Sequence, residues 1–109
     1  MDGESVRIYS DQDDGTSVSL IPGDSFQVRL SENPTTGYRW HLLDWDRSIL
    51  DVTLDEFQPY GASSYGAGGE HLWEFVARAP GQSLLQLAYR RRWEAATPSR
   101  SFSLRVSVT

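Results

Sequence analysis

The chain has 109 residues, no cysteine, and a net charge of -5 from ten arginines set against fifteen acidic residues. That length predicts one domain over 1–109 with a small core, and the lack of cysteine excludes disulfides and thiolate metal sites. Lysine is also absent, which removes Schiff-base chemistry and a P-loop lysine, while the negative balance argues against a nucleic-acid partner.

Val6-Arg7-Ile8-Tyr9 alternates weakly and predicts an edge strand. Asp11-Gln12-Asp13-Asp14-Gly15 reads as a solvated turn whose oxygen ligands are too closely spaced for calcium. Ser17–Leu20 is a short strand ended by Pro22-Gly23, and a longer one runs from Asp24 to Ser31 with Phe26, Val28 and Leu30 at period two. Asn33-Pro34-Thr35-Thr36-Gly37 then makes a stiff turn. Proline pushes Asn33 out of the helical region, the two threonines are restricted at χ1, and Gly37 can take φ > 0. Tyr38, Trp40 and Leu42 restore the alternation, with Trp40 at core parity. The stretch 44–50, with Leu43, Asp46, Arg47 and Leu50 at helical offsets, is the one segment expected to turn as a helix, and it is too short to stand alone.

Leu54 to Tyr60 reads as an edge strand because Pro59 interrupts it. The loop 61–69 is made of small residues and holds four glycines. Glu70 to Ala77 is a strand carrying Trp73 and Phe75 on one face, and Gln82 to Tyr89 is apolar enough to be central. A loop over 90–100 leads to a last strand with Phe102, Leu104, Val106 and Val108 in strict alternation. Trp45 and Trp73 read as structural, whereas Trp93 follows three arginines and is expected to be exposed. Seven to eight short strands with turns every eight to twelve residues predict an all-β, immunoglobulin-like antiparallel sandwich. In that topology the loops 32–37, 61–69 and 90–99 meet at one end.

Those three loops carry the motifs Asn33-Pro34-Thr35-Thr36-Gly37-Tyr38 with Trp40, Gly66-Ala67-Gly68-Gly69, and Tyr89-Arg90-Arg91-Arg92-Trp93. In that order they resemble the chagasin family of cysteine protease inhibitors, whose third loop usually reads Arg-Pro-Trp; Arg92 stands here in place of the proline. The resemblance covers nearly the whole chain. It implies a reversible, tight-binding, non-covalent plug for papain-like cysteine proteases. The first loop would lie over the catalytic thiol, and the second and third would embrace the cleft. The implied protease-binding residues are Asn33, Pro34, Thr35, Thr36, Gly37, Gly66, Ala67, Gly68, Gly69, Arg91 and Trp93. Arg92 is expected to leave the third loop more flexible than proline would.

The competing reading is a non-inhibitory immunoglobulin-like adhesion or carbohydrate-binding module, with Tyr60, Tyr65 and Trp93 as an aromatic platform. It accounts for the aromatics but not for the threonine-bearing turn. His41 and His71 are the only histidines and lack further ligands in convergent spacing, so no metal or other cofactor is expected. No nucleophile elbow is present, and enzymatic activity is not expected. Met1-Asp2-Gly3-Glu4 lacks the features of a signal peptide and no apolar run reaches membrane-spanning length, so no membrane partner is expected. The compartment is not legible. The protein is expected to act as a monomer. Residues 1–60 hold four Arg against twelve Asp and Glu, and residues 61–109 six Arg against three Glu. Arg90, Arg91, Arg92 and Arg100 are therefore expected to make the tip positive, with the acidic excess elsewhere.

Overall fold

The computed structural model describes residues 7–61, 68–91, 93 and 99–109. Among them lie eight strands: β1 Arg7–Ser10, β2 Ser17–Leu20, β3 Ser25–Glu32, β4 Tyr38–Asp44, β5 Leu50–Pro59, β6 Gly69–Ala77, β7 Gly81–Arg91 and β8 Arg100–Val108. They form two four-stranded sheets, ordered β1-β3-β6-β5 and β2-β8-β7-β4. The all-β sandwich is as expected, and β5 and β7 take their expected edge and central places. Two pairings depart from antiparallel: β1 runs parallel to β3, and β2 parallel to β8.

Alternation explains the core. Phe26, Val28 and Leu30 of β3 and Trp73 and Phe75 of β6 point inward and are buried. Leu85 and Leu87 of β7 and Phe102, Leu104 and Val106 of β8 meet them from the other sheet. Phe26 stacks on Phe75 at 5.2 Å between ring centroids, and Tyr9 closes on Phe26 edge-on. Each such side chain contributes roughly 1.5–3 kcal/mol when removed from water. Trp40 and Trp73 are core residues, as expected, and Trp45 packs against the core while its Nε1–H donates to the Leu50 carbonyl.

Three local expectations change. The segment 44–50 is a single tight turn rather than a helix, closed by the Ile49 and Leu50 N–H groups on the Asp46 carbonyl. Asp46 is held in that geometry by Ser48, whose N–H and hydroxyl both donate to its carboxylate. β5 starts at Leu50, earlier than expected, because β6 offers a partner to that point. β7 runs on to Arg91 because Tyr38 pairs with it across the sheet, so Arg90 and Arg91 are strand residues rather than loop.

The acidic turn is not merely solvated. Asp11–Asp13 form a short 3-10 turn whose carboxylates tie the two sheets together. Asp11 accepts from Ser31 on β3 and pairs with Arg100 on β8 at 3.1 Å. Asp14 accepts the Ser103 N–H at 2.8 Å. No helix among the described residues is long and apolar enough to cross a membrane.

Candidate functional site

The turn 33–37 owes its shape to its own polar groups. Asn33 caps a 3-10 turn over Pro34–Thr36, and Gly37 ends it in the left-handed region at φ +85°. The Thr35 hydroxyl donates to Asn33 Oδ1 at 2.6 Å, and the Thr36 hydroxyl donates to the Asn33 carbonyl at 2.8 Å. Thr36 Oγ1 in turn accepts the Tyr38 N–H at 3.2 Å. Both threonine hydroxyls thus direct their protons into the turn and stiffen it. The result is a compact knob, not an extended peptide.

Two staples close its base. The Trp40 N–H donates to Glu32 Oε2 at 2.6 Å, and the Trp40 indole N–H donates to the Ser31 carbonyl at 2.8 Å. Glu32 is fully enclosed, and Arg39 Nη2 approaches its Oε1 at 3.4 Å. His71 places Nδ1 3.0 Å from Glu32 Oε1 and Nε2 2.5 Å from Asp55 Oδ1, with its ring stacked on Trp73. Burial opposes the charge on Glu32, but the hydrogen bonds from His71 and the Trp40 N–H, with the charges of His71 and Arg39, outweigh it. They hold its carboxyl below the ordinary value. Burial likewise opposes charge on His71, yet Glu32 and Asp55, through hydrogen bonds and charge, raise its imidazole. Sequence reasoning passed over Glu32 and weighed His71 only as a metal ligand. Their signal was an acid and a histidine at inward parity, in step with Leu30 and Trp73 respectively.

Contacts bring the three loops to one end. Gly68 lies against the Glu32 carbonyl and the Asn33 side chain, joining the second loop to the first. A Cβ at Gly37 would sit 3.1 Å from Trp93 Cη2, so the tryptophan of the third loop rests on the first. Tyr89 is the hub beneath them. Its hydroxyl accepts the Asn33 N–H at 3.2 Å, and its carbonyl accepts the N–H and hydroxyl of Ser99 where the third loop returns. Its ring stacks with Tyr38 and meets Trp40 at a tilt of 41°.

The expected site residues fall into three groups. Asn33, Pro34, Thr35, Thr36 and Gly37 form the knob, and Trp93, 71% exposed, stands beside it as expected. Arg91 lies over the Tyr38 ring at 4.7 Å, and Gly68 flanks Asn33. Gly69 is buried in β6 between Glu32 and Pro59, where a Cβ would drive into the Gln58 carbonyl; its bareness serves the sheet. Gly66, Ala67 and Arg92 lie outside the described residues, as does Tyr65 of the competing platform. Arg100 is less free than its place in the sequence suggested, being paired with Asp11 and laid over Trp40 and Tyr89. No cluster of metal-ligating side chains occurs among the described residues. A groove of about 440 Å³ lined by Ser17, Ser19, Leu84 and Arg105 lies toward the opposite end.

Comparison with known proteins bears on this tip. A family-wide profile described as "Chagasin family peptidase inhibitor I42" matches residues 19–107. Amoebiasin-1 of Entamoeba histolytica is 25% identical over 99 residues, covering 91% of this chain and 96% of that protein. The cysteine protease inhibitor EhICP2 from Entamoeba histolytica superposes with a TM-score of 0.84 at 21% identity, over 95% of this chain and 96% of that one. PbICP-C, solved in complex with falcipain-2, superposes with a TM-score of 0.69 at 18% identity, over 100% of this chain and 96% of that one.

Proposed function

The chain belongs to the chagasin family of peptidase inhibitors, and from that premise we propose that its three-loop tip plugs the active-site cleft of papain-like cysteine proteases reversibly and without covalent chemistry. The observation that carries this reading is the conformation of Pro34–Thr36. A protease cleaves peptide presented in an extended, near-attack geometry. The 3-10 turn, capped by Asn33 and hydrogen-bonded through both threonines, denies that geometry while filling the space a substrate would occupy. A cleft occupied this way is blocked by a segment that is not cut.

The flanking residues supply affinity. Trp93 is the exposed aromatic anchor of the third loop, with Arg91 beside it, and Gly66, Ala67 and Gly68 let backbone approach the partner closely, with Gly69 as their root in the sheet. Because Trp93 already rests against the knob at Gly37, that contact need not be formed on binding. A standard interface of roughly 1,600 Å² is then adequate for nanomolar affinity, about -12 kcal/mol.

Titration of papain with the protein tests this reading. Stoichiometric, reversible loss of activity is expected, with the inhibitor recovered uncut. Trp93→Ala should weaken inhibition by roughly 2–4 kcal/mol and leave the thermal transition nearly unchanged. Papain activity that is indifferent to micromolar protein, or rapid cleavage between Thr35 and Gly37, would sink it.

A further inference from the structure

The first and second loops share a root. Glu32 is the last residue of β3 before the knob, and it pairs across the sheet with Gly69, where the second loop re-enters β6. Its carboxylate holds the Trp40 N–H from the far side of the knob. Two residues beyond Gly69, His71 stands between that carboxylate and Asp55 on β5, the strand that leads into the second loop. One imidazole therefore joins the stems of both loops.

The geometry determines the ring's protonation. A neutral imidazole has one N–H and one lone pair, whichever tautomer is chosen. Here Nδ1 is 3.0 Å from one carboxylate oxygen and Nε2 is 2.5 Å from another. A neutral ring would turn a lone pair toward an anionic oxygen at hydrogen-bond distance. Only the imidazolium, donating at both ends, satisfies the arrangement. The charges facing it are Glu32 from β3, Asp55 from β5 and, through Glu32, Arg39 from β4. Glu70 and Glu74 on β6 itself alternate to the outer face.

We propose that Glu32 and His71 are positioning residues of the inhibitory tip, and that the imidazolium between two carboxylates makes the order of that tip, and so the strength of inhibition, fall as the medium turns alkaline. This rests on the inhibitory reading above. When the ring loses its proton, Glu32 keeps the Trp40 N–H and Arg39. Asp55 is half exposed, and it is the partner that lets go into water. The β5 stem of the second loop loosens first, and Gly68 loses its firm seat against Asn33. The raised imidazole places this change above the usual histidine range, so the arrangement is intact in mildly acidic and neutral media.

Two measurements test the proposal. The first needs no protease. In the free protein, the His71 ring is titrated by NMR between pH 5 and 10 while the amides of Gly37, Gly68 and Gly69 are followed. Those amides should move with the His71 midpoint, and in His71→Gln they should not. Glu32→Gln, which keeps an acceptor for the Trp40 N–H, should lower the His71 midpoint. Amides that ignore the ring, or a midpoint unmoved in Glu32→Gln, overturn the proposal. The second compares His71→Gln with the wild type against papain at pH 5.5 and pH 9.5, so that papain's own titration cancels in each ratio. The variant should be weaker by about five- to thirtyfold at the lower pH and within about twofold at the higher. A ratio that is constant with pH overturns the coupling to inhibition. If neither protein inhibits papain at any pH, the inhibitory reading fails, and the amide titration still decides whether His71 orders the tip.

Discussion

Gly37 shows how one residue can serve two requirements. Its φ of +85° ends the 3-10 turn in the left-handed region, which costs a residue with a Cβ roughly 1 kcal/mol. The same missing Cβ leaves room for the Trp93 ring, which would otherwise meet it at 3.1 Å. Gly37→Ala should therefore do more than strain the turn: it should lift Trp93 off the knob. We expect a stability loss of about 1–2 kcal/mol and a larger loss of affinity for papain, measured by urea unfolding and inhibition titration on the same preparation. Equal losses in both would mean that the Trp93–Gly37 contact plays no part in presenting Trp93. The glycine was legible in the sequence as a φ > 0 position after Asn-Pro. Its second role was not, because Trp93 lies in a different loop and only the folded tip brings the two together.

At the scale of strands, the polar seam of Glu32, His71, Asp55 and Arg39 links β3, β6, β5 and β4 and gives stability a pH window. His71 is raised in the folded protein, so its contribution is complete below its unfolded value near 6.5 and is lost as pH rises through the folded one. Glu32 is lowered, so its contribution is complete above 4.5 and is lost as pH falls through its folded value. His41 works the other way. Burial and the neighbouring Arg90 hold its imidazole low, so it costs stability as pH falls below about 6.5. The difference in urea midpoint between the wild type and His71→Gln isolates the seam. It should be flat from about pH 5 to 6.5 and shrink toward alkaline pH; a difference that grows there contradicts the assignment. The strands that carry the seam were legible from alternation, as in Phe26, Val28 and Leu30. The seam was not. Asp55 faces inward only because a bulge between Val52 and Leu54 shifts the register of β5, and the pairing of Glu32 with Gly69 depends on a register that hydropathy does not specify. The same limit explains β7, which gains Arg90 and Arg91 from its pairing with β4 rather than from its own residues.

For the whole molecule, charge is less polarised than the tally of arginines suggested. Arg100 is neutralised by Asp11, and the acidic turn that holds it sits beside the root of the tip, against Ser31 and Ser103. Arg90 and Arg91 lie on β7, the latter over the Tyr38 ring. With Arg100 paired, steering is weaker than four tip arginines would give, so association with an acidic-cleft protease should slow by no more than about threefold between ~20 and ~500 mM salt. Stopped-flow measurement across that range decides it, and a tenfold slowing would show that the tip acts as a strong positive pole. The parallel pairing of β2 with β8 has a consequence of another kind. The first sheet is complete once Ala77 has been made, but β2 waits for the strand that ends at Val108. During synthesis the nascent chain therefore passes through an interval in which one sheet stands formed with Phe26, Trp73 and Phe75 uncovered. At about 5–20 residues per second that interval lasts seconds, long enough for a chaperone to bind. Ribosome-bound chains that end near residue 85 and carry a linker long enough to clear the exit tunnel should be captured by such a chaperone, and chains that carry the same linker past Val108 should be released.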